Sequence, residues 1–199
     1  MSRTRSIGSA PTPRPRTARP TASSPVTEPV VATETTPFGL RLHIPIPLRW
    51  GDLDAFNHVN NTAMLKLLEE ARVRAFWLPD PGETAPDTAV LSSGISAGVL
   101  TLIARQEIEY LAPVPYQRHP LDVQMWFGRL GGSSIEVCYE VCSPRETAAP
   151  DGAQAIYARA TTVVVKVDAR SGAPLRLSAE ERAAWEPYVG PPLVYAHRR

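Results

Sequence analysis

The chain has 199 residues, 43% of them hydrophobic and 21% charged, with a net charge of +1. That is an ordinary globular mix suited to one domain with tails, and so small a net charge gives no reason to expect a nucleic acid as partner. No apolar run approaches the roughly 18–20 residues needed to cross a bilayer, so no membrane span is expected.

Residues 1–36 differ from the rest. Arg3, Arg5, Arg14, Arg16 and Arg19 precede the first acid, Glu28, and Pro, Ser, Thr and Ala fill the gaps. Such a stretch buries too little surface to offset its ordering entropy, and it is expected to be a disordered tail. A transit peptide shares the Arg- and Ser-rich, acid-poor composition, but the segment has no amphipathic apolar face. The domain is expected over 37–177, with a short helix and tail over 178–199.

Leu40, Leu42, Ile44, Ile46 and Leu48 alternate with Arg41, His43, Pro45, Pro47 and Arg49. This period of two predicts a half-buried strand, and its prolines mark it as an edge. The polar segment 49–61 predicts a loop. Met64, Leu67, Leu68, Ala71 and Ala75 then form one apolar stripe at helical spacing, predicting a helix over 61–77 with Asn60 as N-cap. Glu70 and Arg74 are spaced for an ion pair along it. Residues 79–94 read as a long loop. Four strands follow, over 99–112, 121–130, 134–143 and 153–168, with Gly131–Gly132 and Ser171–Gly172 as turns. Ser178 and Glu181 have capping-box spacing, predicting a helix around 179–186. The order predicts an α+β fold, an antiparallel sheet of about five strands wrapped around one long central helix.

Cys138 and Cys142 lie four apart in one predicted strand, about 13 Å, too far for a disulfide. They are expected to be reduced and buried, which suits a reducing, cytoplasmic compartment. Their spacing suggests no metal site.

The loop before the helix, Arg49-Trp50-Gly51-Asp52-Leu53-Asp54-Ala55-Phe56-Asn57-His58-Val59-Asn60-Asn61, holds two carboxylates, one His and three Asn. A helix N-terminus has free N–H groups and favours negative charge. There it would stabilise the oxygen of a carbonyl under attack, and a nearby carboxylate could attack that carbonyl or activate a water. On residue chemistry alone, Asp52 and Asp54 could equally make Asx-turns, and His58 could be a hydrogen-bonded structural group.

This loop, running into Leu67-Leu68-Glu69-Glu70-Ala71-Arg72-Val73-Arg74, resembles the 4-hydroxybenzoyl-CoA thioesterase and YbgC-like family of hot-dog proteins. So does the phrase Ile108-Glu109-Tyr110-Leu111-Ala112-Pro113-Val114-Pro115-Tyr116. The likeness spans about residues 40–170. It implies a hot-dog fold and an acyl-CoA thioesterase that uses no cofactor and no metal and works as a homodimer or homotetramer. It implies that Asp54 is nucleophile or general base, that the Asn61 amide polarises the thioester carbonyl, and that His58 positions substrate. Asn57, Val59 and Asn60 would contact substrate, and Asp52 would hold the loop. Glu69 and Glu70 lie about 12 Å along the helix from its start and are expected to pair with Arg72 or Arg74. Met64, Trp77 and the 79–94 loop are candidates for the acyl pocket. Arg105, Arg118 and Arg129 are candidates for the CoA phosphates. After Tyr116 the chain reads Gln117-Arg118-His119-Pro120, where the family often has Gly-Asp. A thioesterase acting on acyl carrier protein, or a hot-dog protein that binds acyl-CoA without turnover, would share these motifs.

Overall fold

The structure, a computed structural model, describes residues 31–92, 94 and 96–196. Its sheet has six strands: β1 (Ala32–Thr36), β2 (Gly39–Ile46), β3 (Val99–Tyr110), β4 (Leu121–Leu130), β5 (Ser134–Cys142) and β6 (Ile156–Asp168). Their spatial order is β1-β2-β4-β5-β6-β3, and every pairing is antiparallel. Helix α1 (Asn61–Phe76) lies between β2 and β3 in sequence, and α2 (Ala179–Trp185) follows β6.

Period-two alternation decides which residues meet the helix. Leu42, Ile44 and Ile46 of β2 point inward with Val123, Met125 and Phe127 of β4 and Val137, Tyr139 and Val141 of β5. Met64, Leu67, Leu68, Ala71, Ala75 and Phe76 of α1 join them in one core. The small Ala71 and Ala75, both wholly buried, let the helix approach the sheet closely. Arg72 also turns inward and donates from Nη1 to the Tyr139 hydroxyl at 3.1 Å.

Two expectations are corrected here. Ala32–Thr36, inside the expected tail, forms β1 and raises the strand count to six; residues 1–30 of that tail lie outside the described residues. Consequently β2 is an inner strand over its first half. Among the described residues, pairing with β1 ends at His43, and beyond that ladder the Pro45 carbonyl accepts from Arg74 Nη1 at 3.2 Å. The segment after Tyr116 makes no hairpin. It carries the chain from edge strand β3 to β4 in the sheet interior.

The far end of the core is closed by rings. Phe76, Phe127 and Trp185 pack with centroids 5.2–5.9 Å apart. The Trp185 indole donates to the Thr88 carbonyl at 2.9 Å, and the Thr88 hydroxyl donates to the Ala75 carbonyl at 2.7 Å. The 79–94 loop is thereby fixed to the C-terminal end of α1. The capping box of Ser178 and Glu181 forms as expected, and Lys166 of β6 bonds Glu181 at 2.6 Å.

A C-terminal strap crosses the outer face of the sheet. Gly190 N–H donates to the Phe127 carbonyl, the Trp126 indole donates to the Pro191 carbonyl, and the Tyr195 hydroxyl reaches Thr161 Oγ1. Gly39 makes room for it. Its φ of +119° favours glycine, and a Cβ there would sit 2.8 Å from the Val189 carbonyl oxygen. Cys138 and Cys142 are free and buried. Burial raises both thiols, Cys142 to about 12.

Trp185→Ala removes a buried ring and an indole hydrogen bond, and is expected to cost about 3–5 kcal/mol. Urea unfolding of the full chain measures it.

Candidate active site

The loop before α1 is a tight closed turn. Leu53 and Val59 form an antiparallel bridge. Within it, Asp54 N–H donates to the His58 carbonyl at 2.8 Å, and Asn57 N–H donates to the Asp54 carbonyl at 3.1 Å. Asn57 takes a φ of 60°, the left-handed region that Asn tolerates better than most residues. Its backbone is what closes the turn, and its side chain is exposed.

The two carboxylates have different surroundings. Asp52 is 5% exposed. It accepts from the Arg49 backbone N–H at 2.7 Å and from the Arg49 guanidinium at 3.2 Å, and its carbonyl accepts from Asn60 N–H. All of these bonds hold the loop. Asp54 is half-buried. Its Oδ1 accepts from Phe56 N–H at 2.8 Å and from His58 N–H at 3.3 Å. Its Oδ2 has no hydrogen-bond partner among the described residues. One oxygen makes the Asx-turn, and the other is open to chemistry.

Asn60 is the N-cap of α1. Its Oδ1 accepts from Thr62 N–H at 2.8 Å and from the Thr62 hydroxyl at 2.7 Å. The Asn61 N–H, next to it, has no acceptor among the described residues. The first turn of α1 carries no acid to offset the positive end of its dipole. His58 is half-buried; its main chain bridges Pro115, and its ring makes no hydrogen bond among the described residues. Val59 is half-buried, packs against the core and donates from its backbone N–H to the Val114 carbonyl at 2.9 Å.

Two neighbours were not singled out from sequence. The Tyr110 hydroxyl, at the end of β3, donates to the Asn61 carbonyl at 3.3 Å, and desolvation raises its phenol. Trp50 stacks on Tyr116 with centroids 4.6 Å apart. Both tyrosines sit in the 108–116 phrase, which was the available signal.

Other candidates separate from this cluster. Glu70 pairs with Arg74 at 2.8 Å, as expected, while Glu69 is exposed and Arg72 turns to Tyr139 instead. Trp77 and the 79–94 loop lie past the C-terminal end of α1, whose 16 residues place them about 24 Å from Asn61 along its axis. Met64 is buried in the core. Arg105 pairs with Glu107, and Arg118 and Arg129 are exposed. Among the described residues no group of three or more His, Cys, Asp or Glu side chains could hold a metal, and no helix is long and apolar enough to cross a membrane.

An antiparallel sheet packed around one central helix, with a carboxylate turn at the helix start, defines the hot-dog class of enzyme fold. Residues 48–187 match the family model of the Thioesterase-like superfamily, so the chain belongs to that superfamily and is a thioester hydrolase. A search of curated proteins found no relative. Solved structures with a similar fold include YbaW from Escherichia coli, at 23% identity and TM-score 0.53, covering 74% of this chain and 98% of that one. A 4-hydroxybenzoyl-CoA thioesterase with an Asp-to-Asn substitution, complexed with 4-hydroxybenzoyl-CoA, is similar at 14% identity and TM-score 0.57, covering 73% and 98%. Slr0204 from Synechocystis, a 1,4-dihydroxy-2-naphthoyl-CoA thioesterase, is similar at 19% and TM-score 0.56, covering 72% and 94%.

Asn60→Ala is expected to lower stability by about 1 kcal/mol and Asn60→Gly by only a few tenths. Chemical denaturation of the two variants distinguishes a cap from a surface side chain.

Proposed function

We propose that the chain hydrolyses an acyl-CoA thioester to a free acid and CoA, with Asp54 as the reacting carboxylate. The observation that carries this reading is the Asp54 Oδ2, unpartnered among the described residues, on a turn that leads directly into the Asn61 N–H, which has no acceptor among them. The thioester carbonyl oxygen would accept from that N–H, where the helix dipole favours the growing negative charge. Asp54 Oδ2 would either take a proton from a water that attacks the carbonyl carbon and expels CoA as its thiolate, or attack that carbon itself, expelling the thiolate and forming a mixed anhydride that a water then hydrolyses to the free acid and the Asp54 carboxylate. Asp52, sealed by Arg49, holds the loop. His58, whose backbone N–H bonds Asp54 Oδ1 and whose ring makes no hydrogen bond among the described residues, would contact substrate, as would the exposed Asn57. Asn60 would act through the cap it makes. No cofactor enters this chemistry, and the two buried thiols fit a reducing cytoplasmic setting.

We also propose a homodimer joined along β3. That strand is the far edge of the sheet, and its 12 residues run about 40 Å. Leu102 and Ile103 on it are half exposed, as are Tyr110 and Leu111 at its end. A long edge of this kind, apolar near both ends and charged between them, is a template for strand pairing. The Tyr110 bond to Asn61 brings that edge to the candidate site, so a second copy paired there would flank Asp54 and could wall the acyl pocket. Among the described residues, cavities of about 450, 680 and 540 Å³ are not lined by Asp54 or His58.

Free-thiol release across a panel of acyl-CoA and acyl-carrier-protein thioesters tests the first proposal. Asp54→Asn is expected to lower kcat by about a hundredfold or more, with unfolding unchanged. Turnover of no thioester by the wild type would leave an acyl-CoA-binding protein as the better reading, and full activity of the variant would remove Asp54 from the mechanism. Leu102→Glu combined with Ile103→Glu is expected to convert a dimer to a monomer in sedimentation, with activity falling alongside it.

A further inference from the structure

Helix α1 carries one charge into the core. Arg72 is 5% exposed, and its Nη1 donates to the Tyr139 hydroxyl at 3.1 Å. Tyr139 is wholly buried, and desolvation raises its phenol, so it meets the guanidinium as a neutral group. Among the described residues no carboxylate pairs with Arg72. Burying a charge without a counter-charge is costly, so this guanidinium lacks an anion.

Its remaining donors are open. Nε and Nη2 have no hydrogen-bond partner among the described residues, and neither is sealed from solvent; the sealed, unpartnered nitrogens are those of His43 and Gln117. A guanidinium with one bond made keeps a planar fork of donors that suits a carboxylate.

The fork lies on the same side of α1 as the candidate site. Arg72 is 11 residues beyond Asn61, close to three full turns, so the two share one stripe, with the half-buried Leu65 between them. Edge strand β3 borders that stripe with Tyr110, Ile108 and Gln106, which share one face. Tyr110 bonds the Asn61 carbonyl, and Ile108 packs against the core. Gln106 bonds the Thr162 hydroxyl at 3.4 Å, and Thr162 bonds Tyr139. The stripe therefore has the Asn61 N–H at one end and a cation at the other, about 16 Å apart along the helix axis. An arginine on a helix leans back toward the N-terminus, which shortens that span by up to about one turn of 5.4 Å.

We propose that the acyl group carries a carboxylate at its far end, bound by Arg72 while the thioester carbonyl lies on the Asn61 N–H. The substrate is then an ω-carboxyacyl-CoA. This inference rests on the thioesterase reading and assigns the acyl class that reading leaves open.

The test compares adipoyl-, suberoyl-, sebacoyl- and dodecanedioyl-CoA with hexanoyl-, octanoyl-, decanoyl- and dodecanoyl-CoA. In at least one pair of equal length, wild-type kcat/KM is expected to favour the carboxylate by about tenfold or more. Asp54→Asn, titrated calorimetrically with the same pairs, is expected to show that preference in Kd. Arg72→Met, similar in size and uncharged, is expected to bring the ratio to one or below. A wild type that favours the methyl-ended partner in every pair, or neither, overturns the proposal even where Arg72→Met does not fold. So does a preference that survives Arg72→Met. If Arg72→Met turns a dimer into a monomer in sedimentation and keeps the preference, the missing anion belongs to a second copy and the proposal falls. Preferential binding of the carboxylate thioesters with no turnover of any thioester would remove hydrolysis and leave the Arg72 site standing.

Discussion

The structure depends on burying the apolar stripe of α1 against the inner face of the sheet. A 16-residue helix is marginal in water by itself, so its stability comes from Leu67, Leu68, Ala71 and Ala75 meeting the inward residues of β2, β4 and β5. That contact fixes the axis of α1 and therefore where its first N–H groups point. It also assigns the faces of every strand. With Leu42 and Ile44 inward, Arg41 and His43 must face outward, and a register slip of one residue would exchange the two sets. Arg41 and His43 are therefore set on the face of the sheet opposite α1 by that one packing arrangement.

Much of this was legible in the sequence, because strong periodicity and local capping chemistry survive folding unchanged. The alternation of 40–48, the stripe of α1 and the Ser178–Glu181 box each formed where their spacing put them. β1 was not legible. Ala32–Thr36 has no apolar alternation, and it is a strand because β2 offers it a ladder and Glu34 meets His43 and Arg145. The inward turn of Arg72 was hidden for a related reason. Its charge argued for solvent, and the Tyr139 hydroxyl across the core is what its guanidinium meets instead. The strap after Trp185 carries no regular pattern at all, since it is held by single contacts to Phe127, Trp126 and Thr161.

The site was half legible. Residue types alone left Asp54 divided between an Asx-turn and chemistry, and the folded loop realises the first with Oδ1 while leaving Oδ2 open for the second. The turn-making oxygen orients the carboxylate, so the structural bond is what would preorganise the reactive one. Val59 was grouped with substrate contacts through its place in the motif, and the folded loop sets it half-buried against the core. A motif preserves spacing but does not say which of its members face the reacting atoms.

The strap has a consequence for how the chain folds during synthesis. Trp126 and Phe127 emerge from the ribosome about sixty residues before Gly190 and Pro191. At roughly 5–20 residues per second the back of the sheet stays uncovered for about 3–12 seconds. Through that interval the Trp126 indole N–H has no acceptor from the strap, and the ring is open to other nascent chains. This is a vulnerability of the unfinished polypeptide that the completed fold no longer shows.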